Sequence, residues 1–262
     1  MVDEIQYCID TFKIKGVKFF DSTFTVRQEH ILSIIQELKK RNMNIPWECE
    51  IRADTVERSL LAQMREAGCY YVHFGAGGEA ANERLSQQID KTISPKQITD
   101  VLQWCRELEI KTKVFFSFGH IGESLHDSFQ TIAFIKKYLR YIDVLAISWT
   151  MKIYPGTALE KYARENKLLS ENFSWSQPPK KNNGFIFTVN VPVLLQPNYG
   201  VREFRKVYCK IRGVLLASGF RRLMSSSIKD ISWDMQRSAG PFNYLIKNIK
   251  LLFEIVLGQF HP

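Results

Sequence analysis

The chain has 262 residues, of which 45% are hydrophobic and 24% charged, and this composition excludes a wholly disordered protein. Five cysteines, at positions 8, 49, 69, 105 and 209, exclude a disulfide-dense scaffold and include no CxxC pair or close triplet that indicates a metal site. The net charge of +9 belongs mostly to the end of the chain, because residues 201–262 carry 11 Lys and Arg against 4 Asp and Glu.

The start of the chain, MVDEIQYCID, is acidic and lacks the basic and then apolar pattern of a signal peptide. No apolar run approaches the roughly 20 residues that cross a bilayer. The longest such run, residues 251–257, contains Glu254. We therefore expect a cytoplasmic protein with reduced thiols.

Hydrophobic periodicity predicts helices that alternate with strands along residues 1–168. The predicted helices cover residues 2–12, 25–41, 54–68, 95–108, 125–138 and 157–166, and the predicted strands cover residues 17–21, 47–51, 70–74, 112–118 and 144–149. Asp54 is expected to N-cap the third helix and Gly68 to end it. Ser94 fits the N-cap of the fourth helix and Pro95 fits its first position.

This alternation predicts an α/β protein with a parallel sheet and right-handed crossovers, with about five βα units. The repetition favours a curved, barrel-like sheet over a flat one. In both arrangements, functional residues gather where the parallel strands end.

Polar residues and glycines follow each predicted strand. These segments are residues 21–24 (DSTF), 52–54 (RAD), 75–79 (GAGGE), 119–123 (GHIGE) and 154–157 (YPGT). Each has a structural interpretation when it is taken alone: Gly119 and Gly122 can serve a tight turn, Glu123 can lie in the first turn of a helix, and Arg52 can pair with Asp54. Five such segments at one edge of a sheet favour a small-molecule site.

Residues 20–25, FDSTFT, resemble the F-x-D-D/S-x-F element of radical S-adenosylmethionine (SAM) enzymes, in the branch that often carries an N-terminal cobalamin-binding domain. Five further matches follow in the family's order. Residues 46–54 resemble P-W-x-x-x-x-R-x-D, residues 60–69 resemble L-L-x-x-M-x-x-A-G-C, residues 74–75 begin F-G-I/V-E-S-G, residues 119–123 resemble G-x-P-G-E, and residues 154–157 resemble Y-P-G-T. The resemblance implies a partial radical SAM core over residues 1–175 and a basic helical extension over residues 176–262.

The departures from the family concern its cofactors. Such enzymes hold a [4Fe-4S] cluster with three cysteines, C-x3-C-x2-C, in the loop after their first strand. The chain begins at the helix that follows that loop, so the resemblance implies an incomplete TIM-barrel-like core that lacks the first strand and the cysteine triplet. We therefore expect neither cluster nor cobalamin in this chain, no metal ligands, and cysteines that serve as small core residues.

The resemblance also implies roles for residues at the strand ends, although it assigns no catalytic residue. Two substitutions alter the family's pattern: Glu79 is displaced by two residues or the family's glutamate is lost, and Ile121 replaces proline. Asp21 and Ser22 would approach the amine of SAM, and Glu79 would be the next carboxylate along the edge. Arg52 would bind the carboxylate of SAM or an anionic group of the substrate. The adenine and ribose would be lined by Gly119, Gly122 and Glu123, and the far side of the substrate space would be closed by Tyr154, Pro155, Gly156 and Thr157.

Three functions stay open on the sequence alone. We favour a radical SAM core, related to enzymes that cleave SAM reductively and act on a substrate that the sequence does not name, but inactive in this shortened form. The second is a non-catalytic descendant that binds SAM-like ligands or a partner. The third uses the basic tail and the amphipathic residues 242–260 at an anionic membrane surface or on nucleic acid, although no specific nucleic-acid partner is expected.

The absence of the family's first strand has a structural consequence. We expect residues 17–21 to form an edge strand with one open side, through which a second copy of the chain could associate.

Overall fold

The computed structural model describes residues 1–76, 85, 93–176 and 192–225, with side chains through residue 218. The chain divides into two compact units. Unit 1 comprises Met1–Gly122 and Lys137–Ser148, and unit 2 comprises Glu123–Lys136 and Trp149–Pro262. The expected domain boundary at residue 175 lies beside residues 177–191, which are outside the described part of the chain, and it stays a prediction.

Unit 1 is built on a five-stranded parallel sheet in the order β1-β2-β3-β4-β5. The strands are β1 (Val17–Lys18), β2 (Trp47–Glu50), β3 (Cys69–Gly75), β4 (Lys111–Ser117) and β5 (Val144–Ser148), and the helices are α1 (Val2–Phe12), α2 (Gln28–Lys40), α3 (Arg58–Glu66) and α4 (Pro95–Glu107). The predicted α/β class with five parallel strands is confirmed.

Strands that follow each other in chain order place their helices on one face of the sheet, because right-handed crossovers then all turn the same way. This is the arrangement of a barrel wall and differs from that of a doubly wound sheet. The helix-covered face carries buried side chains from every other strand position. They include Trp47, Cys49, Val72, Phe74, Val114 and Phe116. The alternate positions form a second face, which we call the polar face, with Lys18, Glu48, Glu50, Tyr71, His73, Lys113 and Phe115.

β1 is an edge strand of the sheet, as predicted, since it pairs only with β2 among the described residues. It is shorter than the predicted strand 17–21. One further bond, from Phe19 N to Glu48 O at 2.9 Å, continues the pairing. The chain then turns, because the buried ring of Phe19 stacks on that of Phe24 at 4.5 Å between centroids.

The helix caps were predicted with mixed success. Ser94 caps α4 in a capping box, in which Gln97 N donates to Ser94 Oγ at 3.3 Å and Ser94 N donates to Gln97 Oε1 at 2.8 Å. Pro95 opens α4, as expected. The predicted N-cap at Asp54 is wrong, because α3 begins at Arg58 with Glu57 at its N-cap position. The Asp54 carboxylate accepts hydrogen bonds from the Arg52 side chain instead.

The second predicted helix also begins later than expected. A short 3-10 helix occupies Phe24–Val26, and α2 starts at Gln28.

Trp47 and Gly68 join β2 to the start of β3. The Trp47 indole Nε1 donates to Ala67 O at 2.8 Å, and Trp47 N donates to Gly68 O at 3.0 Å. Gly68 has a φ of +99°, and a Cβ atom at this position would lie 2.6 Å from the carbonyl oxygen of Ile45. Only glycine fits both the backbone conformation and the space.

The prediction that the cysteines are small core residues is confirmed for three of the five and is wrong for the other two. Cys49, Cys69 and Cys105 are fully buried, whereas Cys8 and Cys209 are half-buried. The neighbouring Cys69 side chain and burial both raise the pKa of Cys49, and burial raises the pKa of Cys105. The thiols of Cys49 and Cys105 therefore stay protonated and unreactive.

Unit 2 contains most of α5 (Leu125–Tyr138), together with α6 (Ala158–Glu165) and α7 (Val201–Ser225). α7 lies within the predicted basic extension, residues 176–262. Two of its cations lie over aromatic rings: Lys210 over Phe129 at 4.1 Å and Arg212 over Tyr208 at 5.0 Å. The predicted amphipathic residues 242–260 lie outside the described residues. No helix in the described part of the chain is long and apolar enough to cross a membrane.

Candidate functional site at the carboxyl edge of the sheet

The segments that follow β1 and β2 are joined by two threonine hydroxyls. Thr25 Oγ1 and Thr55 Oγ1 are 2.6 Å apart in a hydrogen bond, and Arg52 N donates to Thr25 Oγ1 at 3.4 Å. The sequence elements FDSTFT and RAD are therefore neighbours at the carboxyl edge of the sheet, as expected for parallel strands.

Phe24 anchors the first of these segments. Its ring lies against Phe19 and, at 5.9 Å between centroids, against Trp47. This packing leaves Asp21 and Ser22 exposed on the preceding turn. The Asp21 side chain has no hydrogen bond or ion pair with any described residue, so its carboxylate is available to a ligand.

Arg52 has a structural partner, as one interpretation of the sequence proposed. Its Nε and Nη2 atoms donate to the two carboxylate oxygens of Asp54 at 3.0 and 2.7 Å. The Asp54 side chain raises the pKa of Arg52. Two of the five guanidinium N–H groups are therefore committed, and with 46% of the side chain exposed the others can meet an anion.

A glycine turn follows β4. Gly119 and Gly122 have φ values of +80° and +70°, which confirms their role in a tight turn. Between them His120 is buried, and its Nε2 lies 2.9 Å from Ser117 Oγ in a hydrogen bond. His120 was not proposed from the sequence as a site residue. A polar residue inside a glycine turn at a strand end is the signal that could have identified it.

The end of β3 is open. A Cβ atom added at Gly75 would meet nothing within 4 Å, so this strand end presents bare backbone. The next residue, Ala76, continues the ladder through a bond from its N to Phe115 O at 2.8 Å. Glu79, which the sequence proposed as the second carboxylate, lies outside the described residues.

Glu123 belongs to unit 2 and is 3% exposed. Its Oε1 accepts a hydrogen bond from Ser128 Oγ at 2.5 Å, and Ser128 Oγ also lies 2.5 Å from the hydroxyl of Tyr199. Burial and the nearby Glu123 carboxylate raise the pKa of Tyr199, which keeps its hydroxyl protonated. The side chain of Glu123 is therefore held by a buried hydrogen-bond cluster.

The interpretation that placed Glu123 in the first turn of a helix is wrong. α5 begins at Leu125, and Ser124 stands immediately before it. Ser124 N donates to Asp127 Oδ2 at 2.8 Å, and Asp127 N donates to Ser124 Oγ at 3.3 Å. This reciprocal cap is complete without Glu123, which lies two residues before the helix.

Residues 154–157 form the turn that caps α6 in unit 2. Thr157 Oγ1 accepts from Glu160 N at 3.2 Å and donates to Tyr154 O at 2.7 Å. Gly156, at φ +75°, donates its N–H to Glu160 Oε2 at 2.7 Å. The YPGT element thus has a local structural role, and the substrate-side role of Tyr154, Pro155, Gly156 and Thr157 stays a prediction.

The described cysteines do not form a site for a [4Fe-4S] cluster. Among residues 1–76, 85, 93–176 and 192–225, no three His, Cys, Asp or Glu side chains are placed to hold a metal ion. Cys49, Cys69 and Cys105 belong to the core beneath the helices. Cys8 lies in unit 1 and Cys209 in unit 2. These thiols do not fit the three-cysteine set that such a cluster needs.

The polar face of the sheet is the second feature that the sequence analysis missed. Lys18 Nζ lies 3.2 Å from Glu48 Oε1, and His73 Nε2 lies 3.4 Å from Glu48 Oε2. The Tyr71 ring packs edge-on against His73 at 4.6 Å between centroids. The signal was the alternation of charged and apolar residues in WECE (47–50) and KTKVFF (111–116), which is typical of a strand with one polar face.

Comparison with known proteins gives consistent results. Residues 1–135 match the family model of the radical SAM superfamily. The chain is 29% identical over 170 residues to an uncharacterized methyltransferase of Pyrococcus horikoshii, in an alignment that covers 64% of this chain and 36% of the relative.

Two solved structures of TsrM, a radical SAM methyltransferase from Kitasatospora setae, share the fold. One has tryptophan substrate and the SAM analog aza-SAM bound, and the other has cobalamin and a [4Fe-4S] cluster bound. Each superposes with a TM-score of 0.55 at 18% identity and covers 63% of this chain, and 32% and 33% of the TsrM chains respectively. The chain therefore spans about a third of the length of the relatives that it matches.

Proposed function

Because this chain belongs to the radical SAM superfamily, we propose that unit 1 binds S-adenosylmethionine at the carboxyl edge of its sheet, as part of a protein related to radical SAM methyltransferases. The observation that supports this proposal is the hydrogen-bonded pair of Thr25 and Thr55. It brings together the two segments that carry Asp21 and Arg52 and leaves the Asp21 carboxylate without a partner among the described residues.

The chemistry of these groups suits the methionine part of SAM. The Asp21 carboxylate can accept hydrogen bonds from its ammonium group. The N–H groups of Arg52 that Asp54 leaves uncommitted can donate to its carboxylate. The turn at Gly119 and Gly122, together with the bare backbone at Gly75, leaves room for the adenosine to approach main-chain atoms.

We further infer that these 262 residues do not hold a [4Fe-4S] cluster by themselves. In the family the cluster supplies the electron that cleaves SAM. The inference rests on the core positions of Cys49, Cys69 and Cys105 and on the wide separation of all five cysteines in the sequence. The chain by itself is therefore proposed to bind SAM without cleaving it.

Calorimetric titration with SAM tests the binding proposal. Asp21→Asn should weaken SAM binding about tenfold or more, because a charge-assisted hydrogen bond is worth roughly 1.5–3 kcal/mol. The matched control is Asp10→Asn, which removes a carboxylate from the exposed surface of α1. No SAM binding by the native chain, or equal affinities of the two variants, would overturn the proposal.

Anaerobic reconstitution with iron and sulfide tests the cluster proposal. We expect no stoichiometric cluster and no SAM cleavage, and a thiol reagent should label only Cys8 and Cys209 rapidly in the folded chain, because the other three thiols are buried. A stoichiometric [4Fe-4S] signal that a reductant and SAM convert into cleaved product would contradict the proposal.

A further inference from the structure

The segment that contains β1 has main-chain groups that no described residue meets. Val17 N and Phe19 N donate to carbonyl oxygens in and just before β2, at 3.0 and 2.9 Å. Because the main-chain groups of successive strand residues point to opposite sides, those of Gly16, Lys18 and Phe20 point away from the sheet. These groups make no hydrogen bond to any described residue. We call Gly16, Lys18 and Phe20 the open edge.

Large aromatic rings are exposed at this end of unit 1. Phe20 is 84% exposed. On α1, Tyr7 and Phe12 are 60% and 65% exposed, and their rings pack edge-on at 6.0 Å between centroids. An ion pair of Asp3 with Arg41 holds α1 against the end of α2, the helix that follows β1. Single exposed rings are ordinary, but three of them at the open side of a sheet indicate a surface that another chain covers.

The charge of the open edge is balanced within the chain. Lys18 Nζ lies 3.2 Å from Glu48 Oε1 and 5.1 Å from the centroid of the Phe20 ring. A lysine on an edge strand discourages other strands from pairing, because its charge would have to leave water or face a like charge. Since Glu48 compensates the charge of Lys18, a second strand can approach this edge.

The open edge is complementary to a second copy of itself. Two such edges that pair antiparallel about a twofold axis at Lys18 place Gly16 of each copy opposite Phe20 of the other. The exposed ring then lies over a glycine, which has no side chain to oppose it. On the helix-covered face, the same pairing sets Val17 opposite Phe19 of the other copy, which is an apolar cross-strand pair. The main-chain groups of all three open-edge residues are satisfied in this register.

We propose that two copies of this chain form a dimer through their open edges, so that their two parallel sheets join across one antiparallel pair of strands. The Phe20 rings are buried on one face of the junction, and Tyr7 and Phe12 flank it on the helix side. The dimer does not rest on the proposed SAM binding, and either proposal can fail without the other.

Sedimentation equilibrium of the native chain tests this proposal. We expect the average mass to rise from 30.5 kDa towards twice that value between about 1 and 100 µM chain, because dimerisation follows mass action. A mass that stays at 30.5 kDa over the whole range overturns the proposal.

Two substitutions at one position separate the main chain from the side chain. Lys18→Pro removes the central N–H of the open edge, and an edge strand tolerates proline where that N–H faces away from the sheet. It should weaken dimerisation about tenfold or more, because each dimer loses two main-chain hydrogen bonds. Lys18→Met is the matched control: it loses the same ion pair with Glu48 but keeps the N–H, and should dimerise at least as tightly as the native chain. Equal affinities of the two variants would overturn the proposal.

Phe20→Ser leaves the main chain intact and removes a ring that is not part of the core. Dimerisation should weaken about tenfold or more, because a twofold dimer loses the ring twice. The control is Tyr154→Ser, which removes a ring that is 48% exposed in unit 2 and should keep the affinity within about twofold. This pair of variants decides the matter if Lys18→Pro does not fold, and equal affinities of the two would overturn the proposal.

Oxidation of Lys18→Cys tests the register. Directly opposite residues that exchange hydrogen bonds in an antiparallel pair have Cα atoms about 5.5 Å apart, a distance that a disulfide spans. Lys18→Cys should therefore form a covalent dimer at least about tenfold faster than Lys111→Cys, which places a thiol at the exposed start of β4. The native Cys8 and Cys209 give the same background in both variants. Equal rates of cross-linking would overturn the proposed pairing.

Discussion

The two faces of the sheet in unit 1 are built from alternate residues of the same strands, yet they differ in what their side chains contact. On the helix-covered face, side chains such as Cys49, Val72 and Val114 are buried completely. On the polar face, Glu50 and Lys113 are half-buried, and neither makes a hydrogen bond or ion pair with any described residue. The first face is covered by the helices of unit 1, whereas the second keeps charged side chains partly exposed.

The difference shows that one strand contributes half of its side chains to the core and leaves the other half outside it. A strand exposes successive side chains on opposite faces, so a substitution affects one face and spares the other. A substitution in β3 or β4 should therefore lower the free energy of unfolding strongly when the side chain lies on the helix-covered face, and only weakly when it lies on the polar face.

Phe116 and Phe115 are adjacent on β4, but they are 1% and 36% exposed, respectively. Phe116→Ala should lower the free energy of unfolding by about 3–5 kcal/mol, because it opens a cavity on the helix-covered face. Phe115→Ala should cost less than about 1.5 kcal/mol. Denaturant unfolding followed by circular dichroism measures both, and equal losses would show that the faces do not differ.

His73 should make stability depend on pH. Its pKa is lowered in the folded chain by burial first and then by Lys18, so below about pH 6.5 the unfolded chain binds more protons than the folded one. The contribution of neutral His73 is then complete above that pH and is lost as the pH falls towards the folded-state pKa. The slope cannot exceed about 1.4 kcal/mol per pH unit.

Unfolding at pH 7.5 and pH 5.5 measures this dependence in the native chain and in His73→Gln, which cannot titrate. The native chain should lose more stability between the two values than the variant does. The same substitution at His30, which is exposed on α2, serves as the control. A native chain and a His73→Gln variant with parallel pH profiles would show that His73 is protonated equally easily in both states.

Ser94 holds the start of α4, whose side chains cover β4. Ser94→Ala removes the hydroxyl that accepts from Gln97 N and should cost about 1 kcal/mol of unfolding free energy. Ser59→Ala, at an exposed position within α3, is the control and should change stability by less than about 0.5 kcal/mol. A loss at Ser94 no larger than that at Ser59 would mean that the cap does not stabilise the covering helix.

The ion pair of Lys18 and Glu48 should have the smallest effect. Their atoms are 3.2 Å apart, but the two side chains are 34% and 17% exposed, so solvent screens the attraction. Lys18→Met should change the unfolding free energy by no more than about 1 kcal/mol, and less at high salt. A larger loss that does not depend on salt would show that the polar face contributes substantially to stability.

Local signals in the sequence predicted most of the fold of unit 1. Ser94 and Pro95 were enough to locate the start of α4, and the structure adds Gln97 as the second half of the cap. The same logic failed at Asp54, because Arg52 two residues earlier binds the carboxylate that a helix would have used. A cap and an ion pair compete for the same oxygens, and the sequence does not show which prevails.

The candidate site was predicted less completely, because part of it depends on register. Asp21, Arg52 and Gly119 were proposed because each stands at or shortly after the end of a predicted strand, and their roles stay predictions. Glu50, His73 and Lys113 were missed because they belong to three separate strands, and only the pairing of those strands aligns them. An alternating pattern identifies the face on which a residue lies, but not its neighbour across the sheet.

The contact between Trp47 and Gly68 also has an evolutionary consequence. The indole donates to Ala67 O, and the absent side chain of Gly68 leaves room for the Ile45 carbonyl and the indole ring. The P-W and A-G-C elements are therefore one packing unit, although about twenty residues of chain separate them. In an alignment of relatives, the two positions should covary: where the tryptophan is replaced, the alanine-glycine pair should change in the same lineages.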